Sequence, residues 1–208
     1  PTLMAYNQFY NAISPYGEAT PNRFVVDFSV ATDSSNHALE AGLNINYGSE
    51  VIGQGGKDLR NFMVIDGGTN LHLSNLMNVK RLIDVNVGAR YENMTRGGSA
   101  DLALTNMLVD FGISGEILNR VDLLAGLKYY SASGNEFIAV RDGFNLVTDF
   151  IEYDVDMNEL IYSAGLRFRF SKVQSFNINY NMASFANNLE TDSQMNISQL
   201  FFNYTGRF

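Results

Sequence analysis

The stretch QLFFNYTGRF, residues Gln199 to Phe208, alternates apolar and polar side chains along the chain. Leu200, Phe202 and Tyr204 fall on one face of an extended segment, and polar residues stand between most of them. Successive side chains of a β-strand point to opposite faces of the sheet. This stretch therefore predicts a β-strand with one apolar face and one mostly polar face.

The same alternation recurs through most of the chain. Typical strands of soluble sheets have about five or six residues, whereas a tilted strand that crosses a bilayer needs about nine to eleven. Most of the alternating segments are nearer the second length, and no helical pattern competes with them. The opening residues 2–10 are ambiguous in phase and give a predicted tenth strand. The nine readable segments are 23–30, 39–47, 62–73, 83–91, 109–117, 122–129, 160–170, 176–182 and 199–208.

The connections between these segments alternate in length. Long links cover 11–21, 48–60, 93–105, 132–157 and 185–195, and shorter links cover 32–36, 74–80, 118–119 and 171–174. Short turns at one end and long loops at the other are typical of outer-membrane β-barrels. The chain is therefore predicted to be all-β, a single transmembrane up-and-down antiparallel barrel spanning residues 1–208. Ten strands fit best, and eight would follow if the first 21 residues lay outside the barrel.

Volume decides which face points outward. Several large apolar side chains per strand cannot all pack inside so narrow a barrel, because side chains already fill the lumen of an eight-stranded one. Turned outward, the same side chains form a band that faces lipid. The polar face then lines the lumen, where charges of both signs are predicted to pair. This predicted lumen network is Glu40, Asp66, Asp84, Arg90, Asp110, Glu116, Lys128, Arg167, Arg169 and Arg207.

Aromatic residues are placed at the strand ends. Amphipathic rings favour the two interfaces of a membrane, and outer-membrane barrels carry aromatic girdles at both heights. Tyrosines fall at the long-loop end and phenylalanines at the short-turn end. The predicted girdle residues are Tyr47, Tyr91, Tyr129, Tyr162, Phe170, Phe176 and Phe208.

Composition narrows the classes of function. The chain has 14 basic and 22 acidic residues, a net charge of −8, which argues against a nucleic-acid partner. It has no cysteine and only two histidines, so disulfides and thiolate chemistry are excluded and few metal ligands remain. No cofactor and no metal site are predicted.

The final strand resembles the C-terminal signal of bacterial outer-membrane β-barrels, in which alternate apolar residues precede a terminal Phe. Here the matching residues are Leu200, Phe202, Tyr204 and Phe208. The resemblance implies a Gram-negative outer membrane, with the barrel assembly machinery and membrane lipid as partners and the termini in the periplasm. The Asn- and Tyr-rich, Trp-free composition is similar to that of small barrels from Bacteroidota.

Two classes of barrel enzyme give templates for catalysis. The omptin proteases use acidic residues and a His near the outer rim, whereas His37 and His72 are predicted at the short-turn end. Small barrel lipid A deacylases use a His-x-Ser pair on the lipid-facing surface. The chain has His72-Leu73-Ser74, but the phase of the strand turns His72 inward. The sequence therefore predicts that the chain is not an enzyme.

The remaining choice is between three functions. A structural or protein-interaction barrel, including a subunit of a larger outer-membrane complex, is favoured by elimination. The alternatives are a narrow, porin-like channel for small solutes and a lipid-modifying enzyme centred on His72 and Ser74. The long, acidic loop 132–157 contains apolar stretches, for which three roles stay open: extension of the hairpin above the membrane, packing in the mouth of the barrel, or contact with other outer-membrane proteins.

Overall fold

The computed structural model describes residues 23–32, 38–52, 58–78, 81–96, 102–144, 146–171, 173–190 and 193–206. These residues form one antiparallel sheet in which each strand pairs with the next along the chain. One short helix, α1, Leu73–Leu76, follows the third strand. The strands are β1 Arg23–Ala31, β2 Leu39–Ile52, β3 Asp58–His72, β4 Ile83–Arg96, β5 Leu102–Leu118, β6 Val121–Arg141, β7 Val147–Arg169, β8 Gln174–Asn187 and β9 Met195–Gly206.

This topology confirms the all-β, up-and-down antiparallel fold. The described residues hold nine strands, which excludes the eight-stranded alternative. The predicted tenth strand, residues 2–10, lies outside the described residues. Because every neighbouring pair is antiparallel, β1 and β9 run in the same direction. Within the described residues, no helix has the length and apolar character needed to cross a membrane.

One face of the sheet is an apolar surface, and we call it the outer face. Val87 of β4 lies on this face beside Phe111 of β5, and both side chains are exposed. Tyr91 and Ile83 bracket Val87 on the same face and stand eight residues apart. Eight residues correspond to about 26 Å of strand, or about 20 Å of height at a tilt of about 40°. That is close to the roughly 25 Å apolar band of outer-membrane barrels.

The opposite face, which we call the inner face, differs between its two ends. Toward the short turns it is polar. Toward the long loops it is packed mainly with apolar side chains, which come from residues that were predicted as loops. Met94, Leu104, Ala132, Val155 and Met157 form one buried cluster across β4 to β7, with Tyr130 and Phe185 packed against it.

The longest predicted loop is mostly strand. Residues 132–157 were expected to be a loop, but β6 and β7 continue through most of this range and pair as far as Arg141 and Val147. The other long links are also shorter than predicted, since β4 ends at Arg96 and β5 begins at Leu102. Along β7 the alternation continues into the range 132–157, with Ile151, Tyr153 and Val155 on one face and Glu152 and Asp154 on the other.

Candidate functional site

The described members of the predicted charge network all lie on the inner face. They alternate with the outer apolar residues on β2 to β7, in the same phase as the buried side chains. The structure gathers most of them into small groups rather than one continuous network. Arg207 lies outside the described residues.

The strongest group joins three strands near the short turns. Nη2 of Arg169 on β7 lies 2.8 Å from Oε1 of Glu116 on β5 and 2.9 Å from Oδ1 of Asp122 on β6. The Glu116 oxygen also accepts the backbone N–H of Arg120 at 3.1 Å. Charge-assisted hydrogen bonds of this kind are stronger than neutral ones. The group therefore holds β5, β6 and β7 together where they enter their turns.

A second group surrounds His72 at the end of β3. Its Nδ1 lies 2.7 Å from Oδ1 of Asp84 on β4, and its Nε2 lies 3.6 Å from Oε1 of Glu40 on β2. Ser74 is buried in α1. His72 thus sits on the inner face between two carboxylates, whereas the lipid-modifying template places its His on the lipid-facing surface.

The remaining inner carboxylates have mostly amide partners. Asn44 and Asn86 donate to Asp66 and Asp110 at 3.3 and 3.4 Å. An amide satisfies hydrogen bonds but leaves the negative charge uncompensated. Arg90 instead pairs with the buried Glu92 at 2.8 Å. Arg167 donates to the Asn177 amide oxygen at 3.2 Å, and Lys128 is exposed on the same face.

Two cavities of about 280 Å³ each lie along the inner face in its short-turn half. One is lined by Glu40, Asn70 and Asp110, the other by Ser114 and Asn179, and Asn86 lines both. Glycines leave room on this face: Gly68 and Gly88, paired in register on β3 and β4, line the first cavity, and Gly112 and Gly165 line the second. The first cavity is mostly polar, whereas the second also has Ile113 and Leu124 in its wall.

The predicted girdle residues are on the outer face wherever the structure describes them. Tyr47, Tyr129, Tyr162 and Phe170 are exposed, and Tyr91 and Phe176 are partly exposed. The Phe176 ring stacks on Phe202 with centroids 6.3 Å apart. Leu200, Phe202 and Tyr204 of the predicted assembly signal are exposed on the outer face of β9. Phe208, which belongs to both predicted sets, lies outside the described residues.

Several residues of these groups were not predicted as members of the charge network. Asp122 and Glu92 were on the polar face of their strands but were not included in the network. His72 was predicted to point inward but was not included in the network either. The alternation signalled their face, but nothing in it gave the cross-strand register that brings Asp122 to Arg169 or His72 to Asp84. Among the described residues, no three His, Asp or Glu side chains are grouped so as to hold a metal ion.

The comparisons with known proteins yield a structural likeness only. No protein-family model and no curated protein matches the chain. Among solved structures, it is similar to OmpT (in-vitro folded), an outer membrane protein of Vibrio cholerae in its trimer form, with 10% identity and a TM-score of 0.49. The match covers 88% of this chain and 56% of OmpT, so the chain spans little more than half of that protein.

The sheet topology and its apolar outer face define the class: the chain has the architecture of an outer-membrane β-barrel protein. The kinship with Bacteroidota and the C-terminal Phe signal stay predictions. The prediction that the chain is not an enzyme is corrected. It stood on missing motifs alone, and the absence of a motif excludes no activity. Enzymatic activity is no longer excluded, although the match assigns none.

Proposed function

We propose that the chain is an integral outer-membrane barrel whose role is to bind another outer-membrane protein as part of a larger complex. The observation that carries this proposal is the β6–β7 hairpin, which extends beyond both neighbouring strands and displays Phe144 with 88% of its surface exposed. Contiguous exposed apolar patches, rather than single residues, mark interaction sites, and at this tip Phe144 is accompanied by the exposed Leu146. The hairpin lies at the end away from the short turns, which places it outside the cell if the turns and termini are periplasmic.

The experiment is gentle purification of the intact protein from native membranes, followed by native mass measurement. The expected result is a complex of defined stoichiometry with at least one second protein. Recovery of the chain alone, still folded as judged by heat-modifiable migration on a gel, would overturn the proposal.

Assembly of the barrel enters the same proposal. In this proposal the barrel assembly machinery recognises the outer apolar residues of β9, which are Leu200, Phe202 and Tyr204. After assembly, membrane lipid covers the outer face. Phe176, stacked on Phe202, would remain shielded by that contact. Replacing the three β9 residues together by Asn should leave the chain unassembled in the periplasm.

A narrow channel for small solutes is the second candidate, favoured by the two cavities that share Asn86. Solutes would have to pass the buried cluster around Leu104 and Met157, which occupies the long-loop half of the inner face. Conductance measured in planar bilayers with the purified protein tests this function. A conductance at the baseline of protein-free bilayers removes it.

A further inference from the structure

The upper part of the β6–β7 hairpin stands apart from the rest of the described sheet. β5 pairs with β6 only as far as Asn135, and β8 pairs with β7 only from Met157 onward. Between these limits, from Glu136↔Tyr153 to Arg141↔Val147, the two strands pair with each other alone. We call residues 136–155 the projecting hairpin. Its paired strands rise about 20 Å beyond their neighbours at about 3.3 Å per residue.

The projecting hairpin has two different faces along β7. Ile151 and Tyr153 are exposed and share the face on which Val155 is buried further down the strand. Glu152 and Asp154 are exposed on the opposite face. The apolar face of β7 thus continues from the buried cluster into the solvent-exposed part of the strand, and the opposite face is acidic. An exposed apolar face of this kind is available to pack against another protein.

The tip of the hairpin is held in one conformation. Oδ1 of Asp142 accepts hydrogen bonds from the backbone N–H groups of Phe144 and Leu146, both at 2.9 Å. The N–H of Asp142 donates to the carbonyl of Leu146 at 2.9 Å. The exposed Phe144 and Leu146 side chains are therefore presented from a fixed turn. Anchors that are already ordered lose less conformational entropy when a partner buries them.

The negative charge of the hairpin indicates which kind of partner binds to this surface. Residues 136–156 contain six carboxylates and one arginine. Glu152 accepts from the Asn135 amide at 3.0 Å and Asp156 from the Asn188 amide at 2.7 Å, so these hydrogen bonds leave both charges in place. A surface of this sign repels a second copy of itself and the anionic head groups of lipid. It attracts a basic surface and speeds encounter with it.

We infer that the projecting hairpin docks on a second protein whose surface has an apolar pocket and a separate basic region beside it. Phe144 and Leu146 enter the pocket, and Glu152 and Asp154, about 16–23 Å along β7 from Val147, meet the basic region. This inference rests on the proposed interaction role and adds the contact element and the chemistry of the partner.

The test is photo-crosslinking of the full-length protein in intact cells. Benzoylphenylalanine replaces Phe144 in one variant and Leu76, exposed at the short-turn end, in the other. Each is combined with Asp154→Lys or with the matched control Glu190→Lys. Glu190 is exposed in the β8–β9 turn at the same end of the sheet but outside the hairpin. Heat-modifiable migration checks that every variant is folded.

The expected result is one protein adduct at position 144 that is absent at position 76, with a basic region beside the crosslinked point. Asp154→Lys should lower its yield at least tenfold, and Glu190→Lys less than twofold. An adduct of this chain with itself, an adduct with lipid only, or equal yields in both charge variants overturns the inference. If position 144 gives no adduct while a partner still co-purifies, the docking element is wrong and the proposed function stands. If the chain purifies alone, the proposed function fails as well.

Discussion

Arg169 and Glu116 are 53 residues apart in the sequence, yet Nη2 of the arginine lies 2.8 Å from a carboxylate oxygen of the glutamate. Asp122 lies 2.9 Å from the same nitrogen, so one guanidinium group serves two carboxylates from two other strands. The arrangement sits on the inner face beside the turns. It is the point at which β5, β6 and β7 are joined by side chains as well as by backbone.

Replacing Arg169 by Met should destabilise the barrel, because Glu116 and Asp122 would then face each other without a cation. The side chains are partly exposed, so the loss lies between that of a surface pair and that of a buried pair, at about 1–2 kcal/mol. The midpoint of urea unfolding in lipid vesicles measures it. Arg167→Met is the matched control on the same face of β7, where the arginine donates to the neutral Asn177. Equal losses for both variants would show that the ion pairs contribute nothing.

Replacing Gly134 by Ala should be strongly destabilising. Gly134 has a φ of +140°, a conformation that L side chains rarely adopt, and an added Cβ would overlap the carbonyl oxygen of Ala103. Strain of this kind costs about 1–3 kcal/mol before the overlap is counted. Gly143→Ala is the control, since a Cβ there meets no atom within 4 Å. Thermal unfolding followed by gel migration compares them, and an unchanged transition in Gly134→Ala would contradict the strand geometry.

A charge in the middle of the outer face should oppose membrane insertion. Val87→Arg places a guanidinium group at the centre of the apolar band, where outer-membrane barrels lose about 2–4 kcal/mol. Asn86→Arg, one residue away, points to the inner face near Asp110 and should be tolerated. Folding yield into vesicles of outer-membrane thickness is the measurement. If Asn86→Arg were the more damaging of the two, the assignment of the faces would be reversed.

Truncating the buried cluster should cost more than truncating an exposed leucine. Leu104 is fully buried among Met94, Ala132, Val155 and Met157. Leu104→Ala is therefore expected to lose about 2–5 kcal/mol of unfolding free energy. Leu118→Ala, at the exposed end of the same strand, should change it by about 0.5 kcal/mol or less. Similar unfolding midpoints for the two variants would mean that the long-loop half of the inner face is loosely packed.

The fold could be predicted from the sequence wherever the strands face lipid, because lipid requires apolar side chains at alternate positions. Along β4 the apolar residues from Ile83 to Tyr91 mark the outer face, and Asp84, Asn86 and Arg90 fall on the inner one, as predicted. A strand in a bilayer needs an apolar side chain at every second position, so the period is strong. The short turn between Leu118 and Val121 was recognisable for the same reason, since the alternation stops on both sides of it.

Much less of the candidate site could be predicted from the sequence. Period-two alternation assigns a residue to a face but gives no cross-strand register, so the contacts of Arg169 and His72 could not be predicted. The buried cluster was missed because all five of its residues fall in the links 93–105 and 132–157, which were predicted as loops. An extended hairpin was only one of the roles left open for residues 132–157, because the carboxylates of this link favoured a solvated loop.

The rim of this protein is uneven, because one hairpin stands about 20 Å taller than the strands on either side. If this end faces the exterior, antibodies raised against whole cells would bind mainly to the turn around Phe144 and seldom to the lower rim. The same height makes that turn the first place where an added protease could cut. A clipped barrel that keeps its remaining strand pairs would then allow the membrane anchor and the raised hairpin to be studied separately.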